Sequence, residues 1–237
     1  MTLNAIYDLA PGVTGNRALL VMLPGAKASA QDFVDHGFVR AVRERNLPFD
    51  VVAVDANLGH YLERTVAAQI TREIIEPARA HDTHRIWLMG ISLGGGGALA
   101  YASEYPAQIE GVIALAPFLA TTGTIAEVAR AGGWAGWTAG ATAEDDDERR
   151  LLAWIQSLRP DPGTTPAIHL GYGTEDRFAA ASELLAERLP PARVLSVTGG
   201  HDWPTWSRLW RELLERGVLA GDNQRPAILC KSATDTR

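Results

Sequence analysis

Gly90-Ile91-Ser92-Leu93-Gly94 sets a serine between two glycines, each two residues away. The apolar run Ile86-Trp87-Leu88-Met89 before it has the length of a buried strand, and Ser92 to Tyr105 reads as a helix. A chain turning sharply from strand into helix at a serine holds that residue in a strained conformation with its hydroxyl exposed. Side chains at positions 90 or 94 would collide with their neighbours in such a turn. The start of the helix also puts backbone N–H groups and partial positive charge beside any oxyanion. A serine that merely caps a helix after a glycine turn would share these five letters, so the motif needs partners elsewhere. Gly95, Gly96 and Gly97 each cost helix propensity, about 1 kcal/mol relative to alanine. Close packing on a sheet and a loose helix start would both account for them.

A serine hydroxyl is a poor nucleophile near neutral pH and needs an adjacent base. Among the six histidines, His201 follows a strand and Gly199-Gly200, which places it on a loop at the strand's C-terminal end. Parallel strands bring all such ends to one edge, where His201 and Ser92 can meet. His60 also closely follows a strand and is the alternative, or a substrate contact. His36, His81 and His84 read as surface or helix-end residues, and His169 as a packed histidine within a strand. An imidazole base needs a carboxylate to hold its tautomer. Asp176, after the strand ending Leu170-Gly171, reaches the same edge; Glu175 and Asp161 are alternatives, and Asp202 suits a helix cap. Two oxyanion donors are expected: the Leu93 N–H and, from the loop Leu23-Pro24-Gly25-Ala26-Lys27, the Ala26 N–H, with Lys27 close behind.

The elements that must carry these residues alternate along the chain. Strands are expected at Arg17 to Leu23, Phe49 to Val54, His84 to Met89, Ile109 to Leu115, Pro166 to Gly171 and Val194 to Thr198. Helices are expected at about Ser29 to Arg45, at Arg64 to Ala80 with Pro77 bending or ending it, at Ala179 to Arg188 and at Trp203 to Arg216. This rhythm predicts an α/β fold, a mostly parallel sheet with helices on both faces. It breaks between Phe118 and Pro160, a segment holding Trp134, Trp137 and Trp154, with a helix start expected at Thr142 and Asp145.

The chain has 237 residues, 46% of them hydrophobic and 21% charged, enough for a sizeable core and far from a disordered composition. One cysteine, Cys230, allows no internal disulfide and no cysteine-based zinc site. A net charge of −6 without a basic stripe argues against nucleic acid and anionic membranes as partners. Met1 to Pro11 carries Asp8 and no basic n-region, and no apolar run reaches the roughly 18 residues of a membrane span, so a cytoplasmic protein is expected.

The pentapeptide and the chain order Ser92, Asp176, His201 resemble the α/β-hydrolase superfamily from about Arg17 to Arg216. Gly199-Gly200-His201-Asp202-Trp203 resembles the histidine motif of the putative-esterase group, which includes enterochelin-esterase-like and feruloyl-esterase-like enzymes. The region before Arg17 is short for the antiparallel strands that usually open this fold, so six or seven strands are expected. The loop after the first strand lacks the His-Gly-Gly-Gly of one lipase class. The resemblance implies one domain over residues 1–220, with 118–160 as a small cap insertion and 221–237 as a polar tail. It also implies a serine hydrolase of carboxylic esters working through an acyl-enzyme, with no metal or organic cofactor. Lys27, His60, Trp134, Trp137 and Trp203 are the expected substrate contacts, although the insertion's tryptophans could equally pack it onto the body. A thioesterase or amidase on the same triad, a carbon–carbon hydrolase or haloperoxidase-like activity, a non-catalytic binding module and a homodimer all stay open.

Overall fold

The computed structural model describes residues 3–12, 17–56, 59, 61, 65–140, 146–161, 163 and 166–220. Six strands run parallel: β2 (Ala18–Leu23), β3 (Phe49–Val54), β4 (Arg85–Ile91), β5 (Gly111–Leu115), β6 (Ala167–Gly173) and β7 (Val194–Val197). A seventh, β1 (Ala5–Asp8), pairs antiparallel with β3, Ala5 opposite Val54 and Asp8 opposite Val51. The order across the sheet is β1-β3-β2-β4-β5-β6-β7. Every residue of β2, β3 and β5 is buried, as strands covered on both faces must be.

One face of the sheet is covered by α1 (Ala30–Asp35), α2 (Phe38–Glu44) and α9 (Trp203–Glu215), whose Phe33, Phe38, Val42, Leu209 and Trp210 pack on Leu20, Met22, Met89 and Ile113. The other face carries α3 (Val66–Ile70), α4 (Glu76–Ala80), α5 (Leu93–Glu104), α6 (Thr122–Arg130), α7 (Asp147–Ser157) and α8 (Ala179–Ala186). Their apolar sides meet Leu19, Val21, Leu88, Val112 and Leu170. Among the described residues no helix is long and apolar enough to cross a membrane.

Two expectations about local structure need correction. The helix foreseen from Ser29 to Arg45 is two helices, parted at Gly37, whose φ of 75° belongs to the left-handed region. Arg64 to Ala80 is helical from Val66, but a π-helical turn, Thr71–Ile75, lies between α3 and α4. Pro77, in the first turn of α4, has no N–H for the Glu73 carbonyl and its ring crowds that carbonyl; a wider turn just before it absorbs the misfit without ending the helix. The helix start foreseen at Thr142 and Asp145 falls outside the described residues. The observed cap of α7 is Asp146, whose side chain accepts the Arg149 N–H.

Within the segment 118–160, Leu151, Leu152 and Ile155 of α7 join the core of the second face. Trp134 and Trp137 are buried in the same cluster, 5.9 Å apart and edge to face. The Trp134 indole N–H donates to the Leu184 carbonyl of α8, and the Gln156 amide donates to the Trp134 and Trp137 carbonyls.

Candidate active site

The strand-to-helix turn at Ser92 is as crowded as its glycines foretell. A Cβ at Gly90 would lie 2.1 Å from the Gly94 carbonyl oxygen, and one at Gly94 would lie 2.1 Å from that of Leu23. One at Gly96 would lie 2.1 Å from the Phe118 carbonyl oxygen, and one at Gly97 2.5 Å from the Tyr61 ring. The glycine run therefore lets α5 press onto the exits of β2 and β5 and onto Tyr61; a loose helix start is not its reason. Ser92 itself has φ 53° and ψ −115°, a backbone strain of about 1–3 kcal/mol for a residue with a Cβ. Three main-chain bonds hold it there. Its N–H donates to Leu115, and its carbonyl accepts the N–H groups of Gly96 and Phe118. Beyond β5 the chain is strained again, with Ala116 at φ 44° and its N–H donating to Gly171.

β6 and β7 end beside one another and deliver the partners. The Thr174 and Glu175 N–H groups donate to the Val197 and Gly199 carbonyls, which binds the two exit loops together. Asp176 is buried in the first loop, its side chain 1% exposed. One carboxylate oxygen, Oδ1, accepts the Phe178 N–H at 2.8 Å; the other, Oδ2, meets His201 Nδ1 at 2.7 Å. A carboxylate can only accept, so Nδ1 carries the proton and Nε2 is left as an acceptor. The Ser92 hydroxyl stands 2.9 Å from Nε2 and donates to it. Three side chains from the ends of β4, β6 and β7 thus form one hydrogen-bonded line from carboxylate to imidazole to hydroxyl. Such a line can take the hydroxyl proton as the oxygen attacks an electrophile and can return it to a leaving group.

The alternative acids stand apart from this line. Glu175 is exposed, and Asp161 is exposed and accepts the Gly163 N–H. Asp202 caps α9 by accepting the Thr205 N–H at 2.9 Å. Hydrogen bonds from the Thr205 backbone and side chain hold its carboxyl below the ordinary aspartate value.

The loop after β2 lies against the turn, and a Cβ at Gly25 would sit 3.5 Å from that of Ser92. The Ala28 N–H bonds the Gly25 carbonyl, the Ser29 N–H bonds Asp32 and the Ala30 N–H bonds Asp55, so the loop that carries Ala26 and Lys27 is anchored on its helix side. Ala26 and Lys27 are exposed. Leu93, at the first position of α5, is half-buried. His60 lies outside the described residues. Trp203 stacks on His36 at 4.2 Å and meets Phe33, Phe38 and Trp206 edge to face. The contacts of Trp134 and Trp137 run to α7, to α8, to each other and, for Trp134, to the Arg188 guanidinium 5.6 Å from its ring. Among the described residues no group of three or more histidine, cysteine or carboxylate side chains could hold a metal ion.

Sequence reasoning passed over Phe178, which lies two residues beyond Asp176, bonds its carboxylate through the backbone and sets its ring 4.9 Å from that of His201. An aspartate that accepts the N–H two residues on makes a turn, and an aromatic residue at that offset was the available signal.

The family described as "Putative esterase" matches residues 29–219. No curated protein matches the chain by sequence. Among solved structures, Est1E from Butyrivibrio proteoclasticus aligns with a TM-score of 0.59 at 17% identity, covering 91% of this chain and 94% of its own. The S-formylglutathione hydrolase FrmB of Staphylococcus aureus aligns at 0.61 and 13% identity over 90% and 89% of the two chains. A Paleococcus ferrophilus monoacylglycerol lipase aligns at 0.59 and 18% identity over 92% and 99%. At these identities the likeness is one of fold, that of the α/β hydrolases.

Proposed function

This chain belongs to the putative-esterase family of ester hydrolases, and from that premise we propose that it cleaves small carboxylic esters with Ser92, His201 and Asp176 as its catalytic triad. The observation that carries the proposal is the unbroken line from Asp176 Oδ2 to His201 Nδ1 at 2.7 Å and from His201 Nε2 to Ser92 Oγ at 2.9 Å. Ser92 Oγ attacks the ester carbonyl carbon while its proton passes to His201 Nε2. Asp176 keeps the opposite nitrogen protonated and stabilises the imidazolium. The carbonyl oxygen becomes an oxyanion, held by the N–H groups of Leu93 and Ala26; in comparable sites one such donor is worth about 2.7–4 kcal/mol. His201 then gives the proton to the departing alcohol oxygen as the carbon–oxygen bond breaks, leaving an acyl group on Ser92. A water, deprotonated by His201, attacks that acyl carbon, and the acid leaves with Ser92 restored.

The strain at Ser92 supports this reading, since a serine that only caps a helix has no need of φ 53°. Lys27, exposed on the anchored loop, is the residue we assign to the polar end of a substrate. A thioester would pass through the same tetrahedral intermediate, and the fold shared with an S-formylglutathione hydrolase favours testing one. The deciding experiment is hydrolysis of p-nitrophenyl esters from acetate to octanoate by wild type and Ser92→Ala, beside matched acyl thioesters. The expected result is turnover by the wild type, background in the variant, and an optimum that measures the acyl pocket. Equal turnover by both proteins would remove Ser92 from the reaction.

A further inference from the structure

The His201 imidazole meets two aromatic rings from different elements, Phe178 at the end of the loop after β6 and Trp206 in the first turn of α9. Phe178 stands 4.9 Å away at 82°, and Trp206 stands 4.9 Å away at 88°. Each is braced from behind. Phe118 meets Phe178 edge to face at 5.6 Å, the Arg177 guanidinium lies over the Phe178 ring at 4.9 Å, and Trp203 meets Trp206 at 5.2 Å. The Trp206 indole nitrogen is buried and has no hydrogen-bond partner among the described residues. An unmet donor is a cost that phenylalanine would not carry, so the use of this tryptophan lies in where its ring stands.

Geometry explains why such flanks are needed. The two hydrogen bonds of His201 leave from Nδ1 and Nε2, and a nitrogen of an imidazole bonds in the plane of its ring. They resist turning within that plane but oppose tilting out of it, about the Cβ–Cγ bond, only weakly. Such tilting would misdirect Nε2 from both the Ser92 hydroxyl and the leaving group, and small errors of aim are costly in catalysis. Lateral ring contacts oppose that motion. Phe178 also donates its N–H to the Asp176 carboxylate, so one residue sets both the acid and the face of the base.

We propose that Phe178 and Trp206 are positioning residues that hold the His201 imidazole in its proton-transfer orientation; the proposal rests on the reading of His201 as the general base. Phe178→Ala keeps the backbone N–H to Asp176 and removes only the ring. The expected result is a fall in kcat of about tenfold to a hundredfold with KM changed by less than about threefold. Phe178→Tyr should restore the wild-type rate, and Phe178→Leu and Trp206→Phe should fall between. The second readout needs no substrate. In protein carrying 15N-labelled histidine, the hydrogen-bonded Nδ1 proton of His201 should give a downfield signal in wild type and in Phe178→Tyr, and should exchange away in Phe178→Ala. A wild-type signal and a wild-type kcat in Phe178→Ala would overturn the proposal. If that variant does not fold, the same pair of results in folded Phe178→Leu and Trp206→Phe would overturn it instead. A signal that responds to Phe178 in a protein that turns over no ester would uphold the positioning and sink the esterase reading.

Discussion

Trp134 and Trp137 in the segment 118–160 and Phe178 and Trp206 beside His201 meet their neighbours in the same way, ring edge to ring face, at 5.9 Å in the first group and 4.9 Å in the second. Their surroundings differ. The Trp134 indole bonds the Leu184 carbonyl, Gln156 bonds the main-chain carbonyls of both tryptophans, and the Arg188 guanidinium lies 5.6 Å over the Trp134 ring, with neither the Ser92 hydroxyl nor the His201 imidazole among these contacts. The rings of the second group end on an imidazole that is itself tied to a carboxylate and a hydroxyl. The comparison teaches that an aromatic cluster declares its role through what it touches, and that residue type alone does not. Removing a ring from the first group should cost stability and spare the chemistry, and the second group should behave the other way round.

The largest effect expected bears on the line that the second group serves. Asp176→Asn keeps the shape of the side chain but can present N–H to Nδ1, which favours the wrong tautomer of His201. It should lower kcat on p-nitrophenyl acetate about 10⁴-fold with little change in the melting temperature. A loss under tenfold would detach the carboxylate from the chemistry and leave the comparison without its second half. Next comes Trp134→Ala, which empties a buried site and leaves the Leu184 carbonyl without its donor. Urea unfolding should show a loss of about 3–5 kcal/mol, while the preference among ester chain lengths stays that of wild type. A changed preference would join the segment 118–160 to the pocket. The smallest effect is at Asp202, adjacent to His201 yet engaged as a cap. Asp202→Ala should cost about 1 kcal/mol of stability at neutral pH. Because the folded carboxyl is held below its ordinary value, its contribution is complete above that value and vanishes as the pH falls through the depressed one. The stability gap between wild type and variant should therefore close in acid, as thermal melts across that range would show.

Much of this was readable in the chain. The central parallel strands announce themselves because strands buried on both faces must be largely apolar, as Ala18-Leu19-Leu20-Val21-Met22-Leu23 is. The turn at Ser92 was readable because steric crowding demands glycine at 90 and 94. β1 was not. Its Tyr7 is 59% exposed, and the strand exists by pairing with β3, a contact more than forty residues away that leaves no local pattern. The break at Gly37 was hidden because a single glycine inside a helical pattern can be tolerated or can end it, and the left-handed φ that decides here belongs to the folded chain. Asp176 and His201 were legible as residues following strand ends. Their aromatic flanks were not, because Phe178 and Trp206 come together only when the loops after β6 and β7 lie side by side.

The 109 residues that separate Ser92 from His201 have a consequence for the protein's synthesis. A ribosome adding roughly 5–20 residues per second needs about 5–20 seconds to travel from one to the other. Throughout that interval the nascent chain carries Ser92 without His201, its hydrogen-bond partner. The edge strand β7 and α9 also emerge after the other described strands and helices. The line from Asp176 through His201 to Ser92 therefore closes only after β7 has been made, and a chain released before that strand would carry Ser92 without the histidine to which it bonds.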